Sequence, residues 1–85
     1  MSKTAYDAFA TDVAAAIRAR REAAKMTLED LAYNANMTAR HLHDIEKARG
    51  NPTLRTMHNI ASALGIKVSD ILTDAERRSK PPRKT

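Results

Sequence analysis

The chain has no cysteine, so no disulfide and no thiolate-bound metal can staple it, which fits a reducing cytoplasm. Glycine occurs twice and proline three times among 85 residues, alanine is abundant, and no run of alternating β-branched residues appears. Sheets with tight turns are therefore excluded, and the expected fold is all-α. Long hydrophobic runs are missing too. The longest, Val13 to Ile17, is far too short for a membrane span or a signal-peptide core, and only Lys3 precedes it as positive charge. Neither export nor membrane contact is expected. No Ser/His/Asp set, glycine-rich phosphate loop or paired-carboxylate pocket stands out, so no catalytic residue, no cofactor and no enzyme are expected. At this size a single core is only just sufficient, which leaves helix packing and dimerisation as the remaining stabilisers.

What the chain does contain is concentrated between Thr27 and Glu46. Leu28, Leu31, Ala32 and Ala35 have the i, i+3, i+4, i+7 spacing of one helical face. Thr27 and Asp30 bracket the start of that helix like a capping box. Asn36 stands where a turn needs a left-handed residue, Met37 is placed to plug the elbow, and Thr38 caps a second helix with Leu42 and Ile45 inward. The other side chains of that helix, Ala39, Arg40, His41, His43 and Asp44, with Lys47 just after it, are short or polar and not needed for a core. A helix held by its back while presenting hydrogen-bonding groups suits the major groove of DNA. The pattern is a helix-turn-helix.

Around it, a first helix is predicted from about Thr4 or Asp7 to Lys25. Phe9, Val13, Ile17 and Ala24 form its inward stripe, with Ala10, Ala14 and Ala16 beside it. Tyr6 and Phe9 extend that helix and either cover the end of the core or meet a partner. Pro52 prevents the basic stretch Lys47 to Asn51 from continuing as helix. Thr53 caps a fourth helix with Met57, Ile60, Ala61 and Leu64 on one face, ended by Gly65. Ser69 is read as the cap of a short fifth helix with Ile71 and Leu72 inward. After Asp74 the sequence ERRSKPPRKT has no strong apolar residue and two adjacent prolines. Residues 1–75 are therefore expected to form the domain and 76–85 an unfolded basic tail. The formal charge is +5 overall, of which the tail carries +4 and the body +1.

From Ile17 to Leu72 the sequence resembles the Cro/lambda-repressor-type (XRE) helix-turn-helix family. Ile17-Arg18, Arg21, Thr27, Leu31-Ala32, Thr38, Leu42, Ile45-Glu46, Asn51-Pro52-Thr53-Leu54, Ile60-Ala61 and Leu64-Gly65-Ile66 carry the resemblance, in order and at the family's spacings. It implies a compact five-helix bundle and a cytoplasmic, nucleoid-associated regulator, in the first instance a repressor or autoregulator. Such a protein binds a palindromic operator in double-stranded DNA as a homodimer. It also implies a partly buried ion pair between Arg21 and Glu46, and a loop lying on the sugar-phosphate backbone. Lys47, Arg49 and Asn51, with Thr27, Thr38 and His41, are then the expected phosphate contacts. Ala39, Arg40, His43 and Asp44 are the expected base contacts. Arg40 suits guanine O6 and N7; Asp44 either orients Arg40 or accepts from cytosine; His43 donates to a purine N7 or a phosphate; Ala39 meets a thymine methyl. Ile66, Val68, Ile71 and Leu72 are expected at the dimer interface.

Three departures from the family pattern stand out. Leu28 replaces a phosphate-touching glutamine and Asn36 the usual turn glycine. Ala48 stands where a glycine often ends the third helix, so that helix is expected to run on towards Gly50. Leu31-Ala32-Tyr33 with Asn36 also resembles controller proteins of restriction–modification systems. The remaining alternative is an antitoxin that holds a toxin protein through the first helix or the tail. No metal site is expected, because His41 and His43 point about 200° apart around one helix and His58 lies on another.

Overall fold

The structure, a computed structural model, describes residues 4–79. Five helices follow in order: α1 (Ala5–Ala23), α2 (Leu28–Asn34), α3 (Ala39–Glu46), α4 (Leu54–Leu64) and α5 (Val68–Ser79). Each of the first four begins at a threonine. Thr4, Thr27, Thr38 and Thr53 accept from the backbone N–H of Asp7, Asp30, His41 and Thr56, each at 3.0 Å. Asp7 and Asp30 reach back to the cap N–H groups and complete capping boxes. α5 starts differently. Its first turn is held by the Lys67 N–H donating to Asp70 Oδ2 at 2.9 Å. Asp70, and not the expected Ser69, closes that end, because the helix begins at Val68, two residues too early for Ser69 to cap it.

The other ends share one device. Lys25, Asn36, Ala48 and Gly65 are left-handed, with φ of 59°, 60°, 57° and 72°. In each case the next residue's N–H donates back to a carbonyl five positions earlier: Met26 to Arg21, Met37 to Ala32, Arg49 to Asp44, Ile66 to Ala61. These are Schellman closures, and only one uses glycine. Two expectations change as a result. α1 ends before Lys25, leaving Ala24 exposed as its C-cap and not on the buried stripe. α3 ends at Glu46 although Ala48 has a Cβ, because the paired hydrogen bonds from Ala48 and Arg49 offset a strained backbone. Left-handed backbone costs a residue with a Cβ about 1–2 kcal/mol. Ala48→Gly should therefore raise the thermal midpoint by about 4–8 °C in a domain of this size. An unchanged or lower midpoint in calorimetry would show that the turn carries no strain.

The core gathers Ile17, Leu31, Leu42, Ile60 and Ile71, all fully buried, one from each helix. Alanines at 16, 32, 35, 61 and 75 are buried between them and let the helices approach closely. Phe9 packs against this core, whereas Tyr6 is 55% exposed. Ile71 has no accessible surface within one chain, so the expectation that it lies at a dimer interface is wrong: its side chain is spent on the monomer. Ile66, Val68 and Leu72 are half-buried against the core.

α5 also runs further than the sequence suggests, through residues 76–79. Its main partner is α1. Ala75 is fully buried, and Asp74 receives two bonds from Arg20, Nε to Oδ2 at 2.7 Å and Nη2 to Oδ1 at 3.3 Å. These contacts hold the helix past its last large apolar residue, and Arg77 and Arg78 in its last turn suit its dipole. The rest of the expected tail, residues 80–85, lies outside the described residues.

The Arg20 hydrogen bond holds the Asp74 carboxyl below the usual carboxylate range. A folded-state pKa below the unfolded one contributes stability that is present above the unfolded value and lost as pH falls through the folded one. The destabilisation caused by Asp74→Asn should therefore be measurable at pH 7 and vanish in strongly acidic solution. A difference in melting temperature that stays constant with pH would contradict the pairing.

Candidate nucleic-acid interface

The helix-turn-helix is built by burial on one side. Leu31, Ala32 and Ala35 of α2 and Leu42 and Ile45 of α3 are in the core, and Met37 fills the elbow between them as expected. On α3 this leaves Arg40, His41 and His43 exposed, Asp44 and Ala39 partly so, and Lys47 exposed just beyond its end. Arg40, Asp44 and Lys47 lie within about 60° of one another around the helix axis, opposite Leu42. Of the four expected base-contacting residues, Arg40 and Asp44 thus share an outward face, and Ala39 and His43 lie to one side of it.

The two histidines flank that face. His43 lines a groove with Leu28, Arg18, Arg21 and Lys47, towards α1 and α2. His41 lines another with Thr38, Arg55, Thr56 and Asn59, towards α4. Arg55 is exposed in the first turn of α4 and was missed from the sequence. The signal that could have found it is its position two residues after the Thr53 cap, directly past the basic loop. Among the described residues, no group of three or more His, Cys, Asp or Glu side chains could hold a metal ion, and no helix is long and apolar enough to cross a membrane.

Electrostatics separate structural arginines from available ones. Arg21 donates from Nε and Nη2 to the two carboxylate oxygens of Glu46, at 2.8 and 3.0 Å, and from Nη1 to the Met26 carbonyl at 3.0 Å. The side chains are only 14% and 5% exposed. The hydrogen bond to Glu46 raises the Arg21 pKa further. The resemblance implied this pair; the geometry adds that it is bidentate and that it also ties the α1–α2 turn. Arg18 pairs with Glu22 and Arg20 with Asp74. Asp44 lies 4.0 Å from Arg49 and not within ion-pairing distance of Arg40, so Asp44 does not orient Arg40 in the free protein. Arg40, Lys47 and Arg55 have no acidic partner within that distance among the described residues. Their charge is unneutralised.

Thr27 and Thr38 spend their hydroxyls as helix caps and remain exposed. Asn51, exposed in the loop after α3, accepts a hydrogen bond from the Tyr6 hydroxyl at 2.7 Å. That contact was not anticipated. An apolar cleft of about 150 Å³ opens beside it, lined by Phe9, Val13, Ile45, Pro52, Met57 and Leu72 among others.

Comparison with known proteins agrees with this architecture. The helix-turn-helix domain family matches residues 12–78. The chain belongs to the helix-turn-helix family. Over 56 residues the chain is 46% identical to the immunity repressor protein of Bacillus phage phi105, covering 66% of this chain and 39% of the repressor. The chain thus spans about two fifths of that relative's length. The clp gene regulator ClgR of Corynebacterium glutamicum has the same fold, with a TM-score of 0.82 at 24% identity over 87% of this chain and 96% of ClgR. The restriction–modification controller protein C.Esp1396I superposes with a TM-score of 0.76 at 26% identity, over 82% of this chain and 93% of its own.

Proposed function

We propose that this helix-turn-helix protein is a sequence-specific, non-enzymatic transcriptional regulator that reads double-stranded DNA with α3, as a repressor or autoregulator in the cytoplasm. The observation that carries the reading is the division of α3. Leu42, Ile45 and the Arg21–Glu46 pair anchor its back, while Arg40 projects outward without an acidic partner. Ala39, Arg40, His43 and Asp44 meet base edges in this reading. Lys47, Arg49 and Asn51 beyond α3, Thr27, Thr38 and His41 around it, and Arg55 on α4 meet phosphates. Selection of bound sequences from random DNA tests it. Enrichment of twofold-symmetric sites with half-sites about one helical turn apart is expected; no enrichment over the starting library would overturn it.

The protein acts as a homodimer in this reading, with half-buried Ile66 and Val68 at the centre of the contact and Leu72 at its edge. Such a dimer places its two α3 helices about 34 Å apart. Val68→Glu should give a folded monomer that binds the selected site poorly. Wild-type protein that sediments as a monomer both free and on DNA would remove this part of the proposal.

A second role, controller of a restriction–modification system, is favoured by the likeness to C.Esp1396I over nearly all of that protein's length. A selected site that lies upstream of the chain's own gene, beside a methyltransferase gene, would decide for it.

A further inference from the structure

We infer that Tyr6 is a positioning residue for DNA binding, because its hydroxyl fixes which end of the Asn51 amide faces the phosphate backbone. The inference rests on the phosphate role of Asn51 proposed above. An asparagine amide has two unlike ends, a carbonyl oxygen that accepts and an NH₂ that donates. Phosphate oxygens only accept, so only the NH₂ end can bond them. In this fold the Tyr6 hydroxyl donates to Asn51 Oδ1 at 2.7 Å, across 45 positions of sequence. The carbonyl end is thereby occupied, and both Nδ2 hydrogens are left for an outside acceptor. Without Tyr6 the amide could turn over and present its acceptor oxygen to a phosphate oxygen, which has no hydrogen to donate.

The surrounding loop makes this one contact matter. Its backbone is tied as far as the Arg49 N–H, which donates to the Asp44 carbonyl at 2.8 Å, and again from the Thr53 cap onward. Between those points, Tyr6–Asn51 is the only hydrogen bond made by residues 50–52 to the described residues. Pro52 has no N–H to offer, and Gly50 has no neighbour within 4 Å of the position a Cβ would take. The anchor is also well founded. Tyr6 lies in the first turn of α1, which the Thr4–Asp7 capping box holds in place, and Phe9 one turn on packs against the core. Tyr6 itself buries little and is 55% exposed, so its ring adds little to the core beside what its hydroxyl does.

The test compares the full chain with Tyr6→Phe, Asn51→Ala and the double variant on the selected site and on a random duplex. Affinity is titrated at several salt concentrations. Tyr6→Phe should weaken binding to both DNAs about 10-fold for a dimer, from one neutral hydrogen bond lost in each half-site. The slope of log affinity against log salt should not change, because a neutral amide releases no counterion. In the Asn51→Ala background the same substitution should cost nothing further, and the thermal midpoint should move by less than about 2 °C. Wild-type affinity in Tyr6→Phe, additive losses in the double variant, or a flattened salt slope would each overturn the inference. A flattened slope would mean that the whole loop had moved away with Lys47 and Arg49. If Asn51→Ala alone binds like wild type, the phosphate role of Asn51 falls and the inference with it, while the regulator reading stands. Absence of any selected sequence for the wild-type chain would end both.

Discussion

Glu46→Ala is expected to destabilise the domain by up to about 3–5 kcal/mol, the cost of leaving a partly buried charge without its partner. The Arg21 side chain is only 14% exposed, and its guanidinium meets Glu46 in a two-bond fork. With the carboxylate gone, it would be left with one backbone carbonyl, that of Met26. Small domains have a total stability of about 5–15 kcal/mol, so the variant should melt lower by about 12 °C or more at the full cost. Arg21→Ala should cost a similar amount, because it strands Glu46 and also frees the Met26 carbonyl. The double variant should lose much less than the sum, since neither charge is then stranded. Denaturant unfolding of the four proteins measures the coupling. Additive losses of a few tenths of a kcal/mol each would show that both groups are effectively solvated. The functional consequence follows from position. Glu46 is the last residue of α3 and Arg21 lies in the last turn of α1, so the pair ties the end of α3 to α1. A folded variant with that pair removed should lose specific DNA binding before it loses helix content.

Arg40→Ala should remove most of the preference for the selected site while leaving weak general binding. A lost bidentate arginine–guanine contact costs about 1–3 kcal/mol per half-site, and a twofold site loses two of them. The free structure favours this role. Arg40 is exposed in the first turn of α3, and its nearest candidate partner along the helix, Asp44, lies instead 4.0 Å from Arg49. No internal ion pair must break before Arg40 reaches a base. Replacing the contacted guanine with 7-deazaguanine should weaken the wild type and leave Arg40→Ala unaffected. If Arg40→Ala binds the selected site with undiminished affinity, specificity resides elsewhere on α3, with His43 and Asp44 the next residues to vary.

Much of this architecture was legible in the residues because the signals are local. Threonine before an apolar period marks a helix start whatever surrounds it, since the hydroxyl meets an N–H only three residues away. The starts of α2, α3 and α4 follow from that rule, and α1 starts at Thr4, one of the two positions the sequence left open. The elbow at Asn36 follows from the tolerance of asparagine for left-handed backbone, and the burial of Leu31, Leu42, Ile45 and Ile60 from their spacing. Glycine spacing was a poorer guide. Lys25 and Ala48 adopt left-handed backbone without being glycine or asparagine, because the hydrogen bonds that close the turn outweigh the steric cost at one residue.

What the tertiary structure alone decided are the contacts between residues far apart in the chain. Ala75 looks like any small residue at the end of an apolar stretch, and the sequence offered both an inward and an interfacial reading of Ile71; the apposition of α5 and α1 makes both residues core. The same apposition brings Asp74 to Arg20, across 54 positions, and extends α5 to Ser79. Tyr6 and Asn51, 45 positions apart, carry no pattern that links them until α1 and the loop after α3 are placed side by side. Periodicity and capping act within a turn or two of helix, so they determine which segments are helical and which faces are apolar. Which of those faces meet, and which polar groups meet at their margins, depends on how the helices cross, and that is settled only when the whole core closes.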